Sequence, residues 1–379
     1  METKLLIFSK LSGGGLDRFF QLFYQLKTEN FDIFYFFYNP PIRKEIYKNT
    51  KYRIIKPNLR YENDFIIFWP IKFIFFINHL IRTFFILKNY KKKYKKIVVL
   101  SADLYSLAIL ALLKNLLPFS LVFRVMVDFE ELLLKRGILF RKLIHLVSIY
   151  AINKADKVVS VSKGLSIKTK NFFKINSTSK TTFIYNGVIF NVIKKPRLYP
   201  KQNPVILYVG RLDKEKDLQT IVKSFYFVII KRSDCQLWIV GDGSEREKIS
   251  KLIKNIGLQK NIKMFGWKNN VEEFYKRAHI FCFASFYEGF GFVIIEAMSF
   301  GLPVVVTNSP FGPGEIIEDN KYGLLVPVQD YKKMSNEILS LLSSKEKYIY
   351  YSKRSLKRAK FFSKEKMLSE WKKVFQELI

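Results

Sequence analysis

HIFCFASFYEGFGFVIIEAMSFGLPVVVT, residues 279–307, decides how the rest of this chain is read. It opens on an apolar run, His279 to Ala284, the length of a buried strand. A loop follows that holds Glu288 between aromatic residues and two glycines, Gly289 and Gly291. A helical pattern from about Phe292 to Phe300 carries a second carboxylate, Glu296, and Gly301 stops it as a helix C-terminus prefers. Leu302 to Thr307 reads as the next parallel strand. Glycines ahead of a helix let backbone N–H groups approach a ligand, and the helix N-terminus adds partial positive charge, so the loop suits a phosphate. Neither carboxylate suits phosphate, so each is expected to face hydroxyl groups. Two acceptors flanking a phosphate site fit a nucleotide sugar.

The same strand–loop–helix rhythm extends in both directions. Upstream, Val205 to Val209 is a strand that runs into GRLDKEKD, residues 210–217, and then a helix over Leu218–Arg232. Gln236 to Val240 is a strand entering GDGSE at 241–245, a weak glycine-loop signal for which a close-packed turn is the favoured reading. Ile262 to Phe265 is a strand followed by Gly266 and Trp267, which either edges a base pocket or packs as a partly buried tryptophan. Downstream come SPFGPGE at 309–315, a turn at 320–323 and a helix near 331–343. Residues 191–204 hold three prolines and little apolar periodicity, and read as a linker.

Before that linker the rhythm appears a first time. Lys4–Ser9 is a strand, SGGGLDR at 12–18 a glycine loop, and Leu16 to about Lys27 an amphipathic helix. Strands are expected at Phe31–Tyr38, Tyr52–Ile55, Ile97–Ser101, Ser120–Val127 and Val158–Val161. Helices are expected at Leu104–Leu117 and Arg136–Asn153. Asp128 lies just past a strand's carboxyl end, where it either serves a site or caps a helix. The last helix, about Ser363 to Leu378, has an apolar stripe of Met367, Trp371 and Phe375. The fold class expected is α/β, with two doubly wound parallel-sheet domains, 1–190 and 205–360, around the linker 191–204. Residues 361–379 form a helix packing back on the first domain.

Composition bounds the function. With 379 residues, 49% hydrophobic and 26% charged, the chain is globular and long enough for two cores. Cys235 and Cys282 sit in apolar runs and read as buried thiols of a reducing compartment. His79, His145 and His279 are scattered, and no metal-ligand spacing occurs. No secretory signal is read at the N-terminus. The most apolar window, Phe65–Leu87, contains Pro70, Lys72, Asn78, His79 and Arg82 and is not expected to span a membrane. It reads as one or two aromatic amphipathic helices, followed by YKKKYKK at 90–96.

The net charge is +33, of which residues 1–200 carry +23 (35 basic, 12 acidic). Anionic membrane and nucleic acid both answer such a field, as does a composition rich in lysine throughout. The apolar face beside a basic cluster over Phe65–Lys96 favours a membrane surface. No nucleic-acid partner is expected.

Arg211 and Lys216 lie five apart in a loop expected to open beside Glu288. An Arg–Lys pair there neutralises a diphosphate and meets the charge that builds on it as it departs. EGFG-x4-EAM and GLPVV, preceded by Val209-Gly210-Arg211-Leu212 with Lys216-Asp217, and by FIYNGV at 183–188, resemble the family 4 glycosyltransferases. The resemblance covers nearly the whole chain and is strongest over 184–328. It implies a GT-B fold of two Rossmann-like domains facing a central cleft, and a retaining, metal-independent transfer that needs no cofactor. It implies that Glu288 contacts the donor sugar, that Glu296 binds the ribose hydroxyls, and that Arg211 and Lys216 hold the diphosphate. The amides of Gly289, Phe290 and Gly291 lie near sugar and phosphate, with Gly13 and Gly14 in the first-domain loop.

The chain departs from the family pattern at Asp17, where glutamate is common before Arg18. It has no histidine near 124–128, where Arg124, Met126 and Asp128 stand. SPFGPGE resembles a branch acting in bacterial surface-polysaccharide and lipid-linked oligosaccharide synthesis. The expected function is therefore transfer from a nucleotide-diphosphate sugar, UDP favoured over GDP, to a glycan or lipid-linked glycan. The expected place is the cytoplasmic face of the cell membrane. A non-catalytic basic scaffold, or an epimerase or phosphorylase on the same fold, are the alternatives.

Overall fold

The computed structural model describes residues 3–9, 18–20, 22, 31–37, 52–55, 69–134, 138–177 and 179–379. The chain divides into two compact units, residues 1–185 with 367–379, and residues 186–366. The expected glycine loop with Gly13 and Gly14, and most of the helix expected over Leu16–Lys27, lie outside the described residues. Residues 18–20 and 22 of that stretch are helical.

The first unit is a seven-stranded parallel sheet in the order β3-β2-β1-β4-β5-β6-β7. Its strands are Thr3–Ser9, Phe31–Phe37, Tyr52–Ile54, Lys96–Ser101, Ser120–Val125, Lys157–Ser160 and Thr181–Phe183 in chain order. The strands are near-continuous apolar runs because helices cover both faces. Connections from β3 to β6 all step the same way along the sheet, and right-handed crossovers place their helices on one face. These are α1 (Trp69–Lys93), α2 (Leu104–Leu113), α3 (Phe129–Leu134) and α4 (Ile138–Lys154), with α2 packed between α1 and α4. The sixth strand continues into α5 (Lys163–Phe172). The apolar window expected as one or two helices is the single helix α1, and its last turn takes in Lys91, Lys92 and Lys93. Among the described residues no helix is long and apolar enough to cross a membrane.

The chain's last residues complete this unit. Trp371 is fully buried and its ring lies 5.8 Å from that of Phe19. The Arg124 guanidinium stacks on Phe19 at 3.2 Å from the ring centroid, with Trp371 at 5.5 Å. Complete burial in this aromatic slot lowers the Arg124 pKa. Ser120 Oγ donates to the Leu378 carbonyl at 3.1 Å, and Lys157 pairs with Glu377 at 2.7 Å.

The second unit is a six-stranded parallel sheet in the order β10-β9-β8-β11-β12-β13. Its strands are Val205–Val209, Gln236–Val240, Ile262–Met264, Ile280–Phe283, Val304–Thr307 and Leu324–Val326. Its helices are α6 (Leu218–Lys231), α7 (Arg246–Asn255), α8 (Glu272–Arg277), α9 (Phe292–Ser299), α10 (Gly312–Ile317), α11 (Tyr331–Ser343) and α12 (Lys345–Phe361). A last helix, α13 (Lys364–Gln376), carries the chain from residue 366 into the first unit's segment 367–379.

One expectation is corrected here. Residues 191–204 are not a free linker but part of the second unit. Ile193 N–H donates to the Ser299 carbonyl at 2.9 Å, and Arg197 N–H donates to Ser352 Oγ at 2.7 Å. The Arg197 guanidinium donates to the carbonyls of Lys276 and Ala278. The prolines that suggested a linker only remove ladder donors, and side chains supply the bonds instead. The boundaries accordingly fall at 185/186 and 366/367 rather than 190/191 and 360/361. α12 is an addition to the expected elements, a helix which the apolar pattern does not announce. Its inward face carries Ser352, Ser355 and Arg358, which donate to Gly301 O at 2.6 Å, Leu302 O at 2.7 Å, and the carbonyls of Ile316 and Glu315.

Candidate functional site

In an open α/β sheet the crevice lies where the strand order reverses, because the loops on either side leave toward opposite faces. In the second unit that point is between β8 and β11, which pair in parallel. The loop after β8 carries Arg211 and Lys216, and the loop after β11 carries Glu288. Lys216 Nζ donates to Glu288 Oε2 at 2.5 Å, with side-chain exposures of 15% and 20%. The pair is therefore preformed and still reachable. Lys216 also lies 5.5 Å from the Phe283 ring centroid, which closes one side of the ammonium.

Backbone bonds make this meeting obligatory. The Glu215 carbonyl accepts from Phe286 N–H at 2.9 Å and from Ser285 Oγ at 2.8 Å. Ser285 N–H in turn donates to Thr307 Oγ1 at 2.9 Å, so the ends of β11 and β12 are tied together. Glu288 itself sits in a short parallel bridge with Phe311. Gly312 passes so close beneath the loop that a Cβ there would stand 2.2 Å from Phe290 Cα and its carbonyl oxygen. Gly291 adopts φ +100° and is the N-cap of α9, the conformation that turns the loop into the helix.

Arg211 is half exposed and held by two carboxylates of its own loop, Asp213 and Glu215, the latter at 2.8 Å. The expected Arg–Lys pair thus rests on carboxylates, Arg211 on Asp213 and Glu215 and Lys216 on Glu288. An arriving diphosphate can compete for both cations. The alternating charges of RLDKEK, with glutamate four residues after arginine, were the signal for these partners. Tyr208 OH donates to the Arg211 carbonyl at 2.8 Å, and burial raises its pKa so that it remains a neutral donor.

The glycine loop 241–245, weak as a motif, joins the same edge. A Cβ on Gly241, at φ +141°, would overlap the Gly210 carbonyl oxygen at 1.8 Å, and Leu212 N–H donates to the Asp242 carbonyl at 2.9 Å. Gly241 N–H donates to Gly266 O at 2.9 Å, which places Trp267 beside this loop, 44% exposed. β10 stands two strands from β8, about 10 Å at ordinary strand spacing.

Glu296 lies in the second turn of α9, fully buried, and accepts from Tyr275 OH at 3.0 Å. In the described conformation it presents no surface, so a ligand hydroxyl reaches it only by opening that packing. Tyr275 stacks on Phe300 at 5.5 Å and was not singled out by sequence. Asp128 belongs to the first unit. Its Oδ1 accepts from Glu130 N–H at 3.0 Å, the capping role, and burial raises its pKa. Gly13 and Gly14 lie outside the described residues. Cys282 is buried in β11, and burial pushes its thiol pKa far up, so it packs and does not react.

Comparison with known proteins finds glycosyltransferases. Residues 190–358 match the family described as Glycosyl transferases group 1. An uncharacterized glycosyltransferase of Haemophilus influenzae is 28% identical over 59% of this chain and 62% of its own. The N-acetylgalactosamine-N,N'-diacetylbacillosaminyl-diphospho-undecaprenol 4-alpha-N-acetylgalactosaminyltransferase of Campylobacter jejuni is 30% identical over 56% of this chain and 58% of its own. The chain thus spans about three fifths of the length of these two relatives. An uncharacterized glycosyltransferase of Methanocaldococcus jannaschii is 27% identical over 90% of this chain and 92% of its own. Among solved structures, Anabaena HepE in complex with UDP superposes with a TM-score of 0.80 at 16% identity, covering 99% of this chain and 100% of that one. Residues 190–358 thus carry the signature of the group 1 glycosyltransferases, and the two parallel sheets are those of a GT-B fold.

Proposed function

We propose that this chain transfers a sugar, with retention at the anomeric carbon, from a nucleotide-diphosphate donor to a glycan or lipid-linked glycan, in the manner of a family 4 enzyme. The observation that carries the reading is the Lys216–Glu288 pair at the switch point of the second unit, beside the α9 N-terminus. A diphosphate laid on that N-terminus meets the amides of the Gly289–Gly291 loop, Lys216 as a point charge and Arg211 as a planar fork. Once phosphate draws Lys216, Glu288 is released to accept from sugar hydroxyls. The nucleoside extends toward Trp267, and Glu296 takes the ribose after exchanging Tyr275.

In the step itself, the bond from the anomeric carbon to the phosphate oxygen breaks as the acceptor oxygen bonds on the same face. The departing phosphate oxygen takes the acceptor proton. The lysine, the arginine and the helix amides stabilise the charge left on the diphosphate. Those groups can meet that charge without a metal, and we infer that none is needed. The UDP donor is supported by the UDP named with the Anabaena neighbour. A lipid-linked acceptor is supported by the diphospho-undecaprenol in the Campylobacter relative's name, and we infer the cytoplasmic face of a membrane as the place of the reaction. The alpha linkage in that name is the product expected when an α-linked donor reacts with retention.

The experiment is a thermal-shift screen of nucleoside diphosphates and their sugars, followed by transfer assays with the best donor and anomeric assignment of the product by NMR. UDP raising the melting temperature in wild type but much less in Lys216→Ala supports the site. Equal shifts in both proteins, or an inverted product, sink the reading.

A further inference from the structure

The first unit carries a surface feature that the sugar-transfer site does not use. Three helices lie side by side on one face of its sheet, α1, α2 and α4, and they contain no aspartate or glutamate. Their outward faces are apolar. On α1, Ile74, Ile81 and Phe85 are 53%, 50% and 61% exposed. On α4, Leu143, Leu146 and Val147 are 46%, 64% and 43% exposed. Both sets follow helical spacing, so each forms a stripe and not scattered residues. The α1 stripe continues at the same spacing into exposed Lys88 and Lys92, and α4 adds Arg141 and Lys142.

We propose that this three-helix face binds the surface of an anionic lipid bilayer, lying in its plane with the two stripes in the headgroup–acyl boundary and the α1 lysines among the phosphates. Apolar side chains framed by cations and free of carboxylates match that interface. Large exposed apolar patches of this kind mark an interaction surface. A second copy of this chain is the poorer occupant, because it sets two faces of like charge against each other in a protein of net charge +33. Nucleic acid is poorer still, since the stripes offer phosphates nothing.

The binding is read without donor or acceptor, so it stands or falls apart from the transfer reaction. The full chain is floated with phosphatidylcholine vesicles, with and without phosphatidylglycerol, at low and high salt. It is expected to float only with the anionic vesicles and to be released by salt. Phe85→Glu with Leu146→Glu, both at exposed positions, is expected to lower the partition at least about tenfold with an unchanged melting temperature. Lys88→Gln and Lys92→Gln each lower it about fivefold. Ile230→Glu, an exposed apolar position of the second unit, leaves it unchanged. The proposal is overturned if wild type ignores lipid charge, if the double variant floats like wild type, or if the Ile230 control falls as far. It is equally overturned if wild type fails to float and sedimentation finds a dimer that the double variant dissolves.

Discussion

A single ion pair, Lys216 with Glu288, joins the two loops on which the site depends. Because it is partly exposed, its contribution to stability is about 1 kcal/mol or less. On the proposed reading its contribution to the reaction is larger, since charge on the leaving diphosphate would develop where Lys216 stands. Lys216→Ala and Glu288→Ala are therefore expected to lower kcat/KM by about a hundredfold or more, with melting temperatures near wild type. Steady-state assays beside thermal melts check this. His279 is a structural counterpart at the same scale. Val205 N–H donates to its Nδ1 at 3.0 Å, which requires that nitrogen unprotonated, and burial with the Arg197 charge nearby holds its pKa at about 4. The unfolded chain binds that proton at ordinary histidine values, so stability is full above pH 6.5 and is lost as pH falls toward 4. The loss is less than the full shift implies, no more than about 1–2 kcal/mol, because solvent screens this half-buried ring. His279→Gln keeps an acceptor and cannot titrate, so its stability measured by denaturant titration should be flatter across that window.

Elements position these residues, and they do so largely through glycines and buried polar groups. The passage of Gly312 beneath Phe290 leaves no space for a Cβ, and backbone cannot give way as a flexible side chain would. Gly312→Ala is expected to push the Gly289–Gly291 loop, lowering both melting temperature and kcat/KM, the latter by at least about tenfold. A variant with unchanged donor affinity and turnover argues against this coupling. Behind the same loop, Arg358 of α12 is buried, donates to Ile316 O at 2.8 Å and Glu315 O at 2.6 Å, and pairs with Glu318 at 2.7 Å. Arg358→Ala leaves those carbonyls without their donor and should cost about 2–3 kcal/mol in denaturant unfolding. Periodicity of apolar residues could not announce α12, because serines and an arginine occupy its inward face.

The whole molecule consists of two parallel-sheet units, and the first is completed by the end of the chain. Trp371 is fully buried against Phe19 and Phe375 and near Arg124. Trp371→Ala should destabilise by about 3–5 kcal/mol, read as an early unfolding transition. A second expectation concerns the reaction as a whole. If protein cations and helix amides meet the diphosphate charge, transfer measured after exhaustive chelation should equal that of untreated enzyme. Loss on chelation, restored by a divalent cation, would assign that role to a metal instead.

Sequence alone determined a good deal here. The parallel strands of both units were legible because strands buried on two faces must be apolar throughout, and the crossover helices because glycines and polar turns punctuate them. That the loops of Arg211, Lys216 and Glu288 would meet was legible because loops at the carboxyl ends of neighbouring parallel strands open on one edge of the sheet. The tertiary structure alone decided the rest, because it depends on contacts between residues far apart in the chain. It made 191–204 part of a packed unit, since distant carbonyls and a serine satisfy Arg197. It buried Glu296 under Tyr275, and it put the cations of the 211–216 loop on carboxylates. It also lined the exposed stripes of α1 and α4 along one face, which no local pattern records.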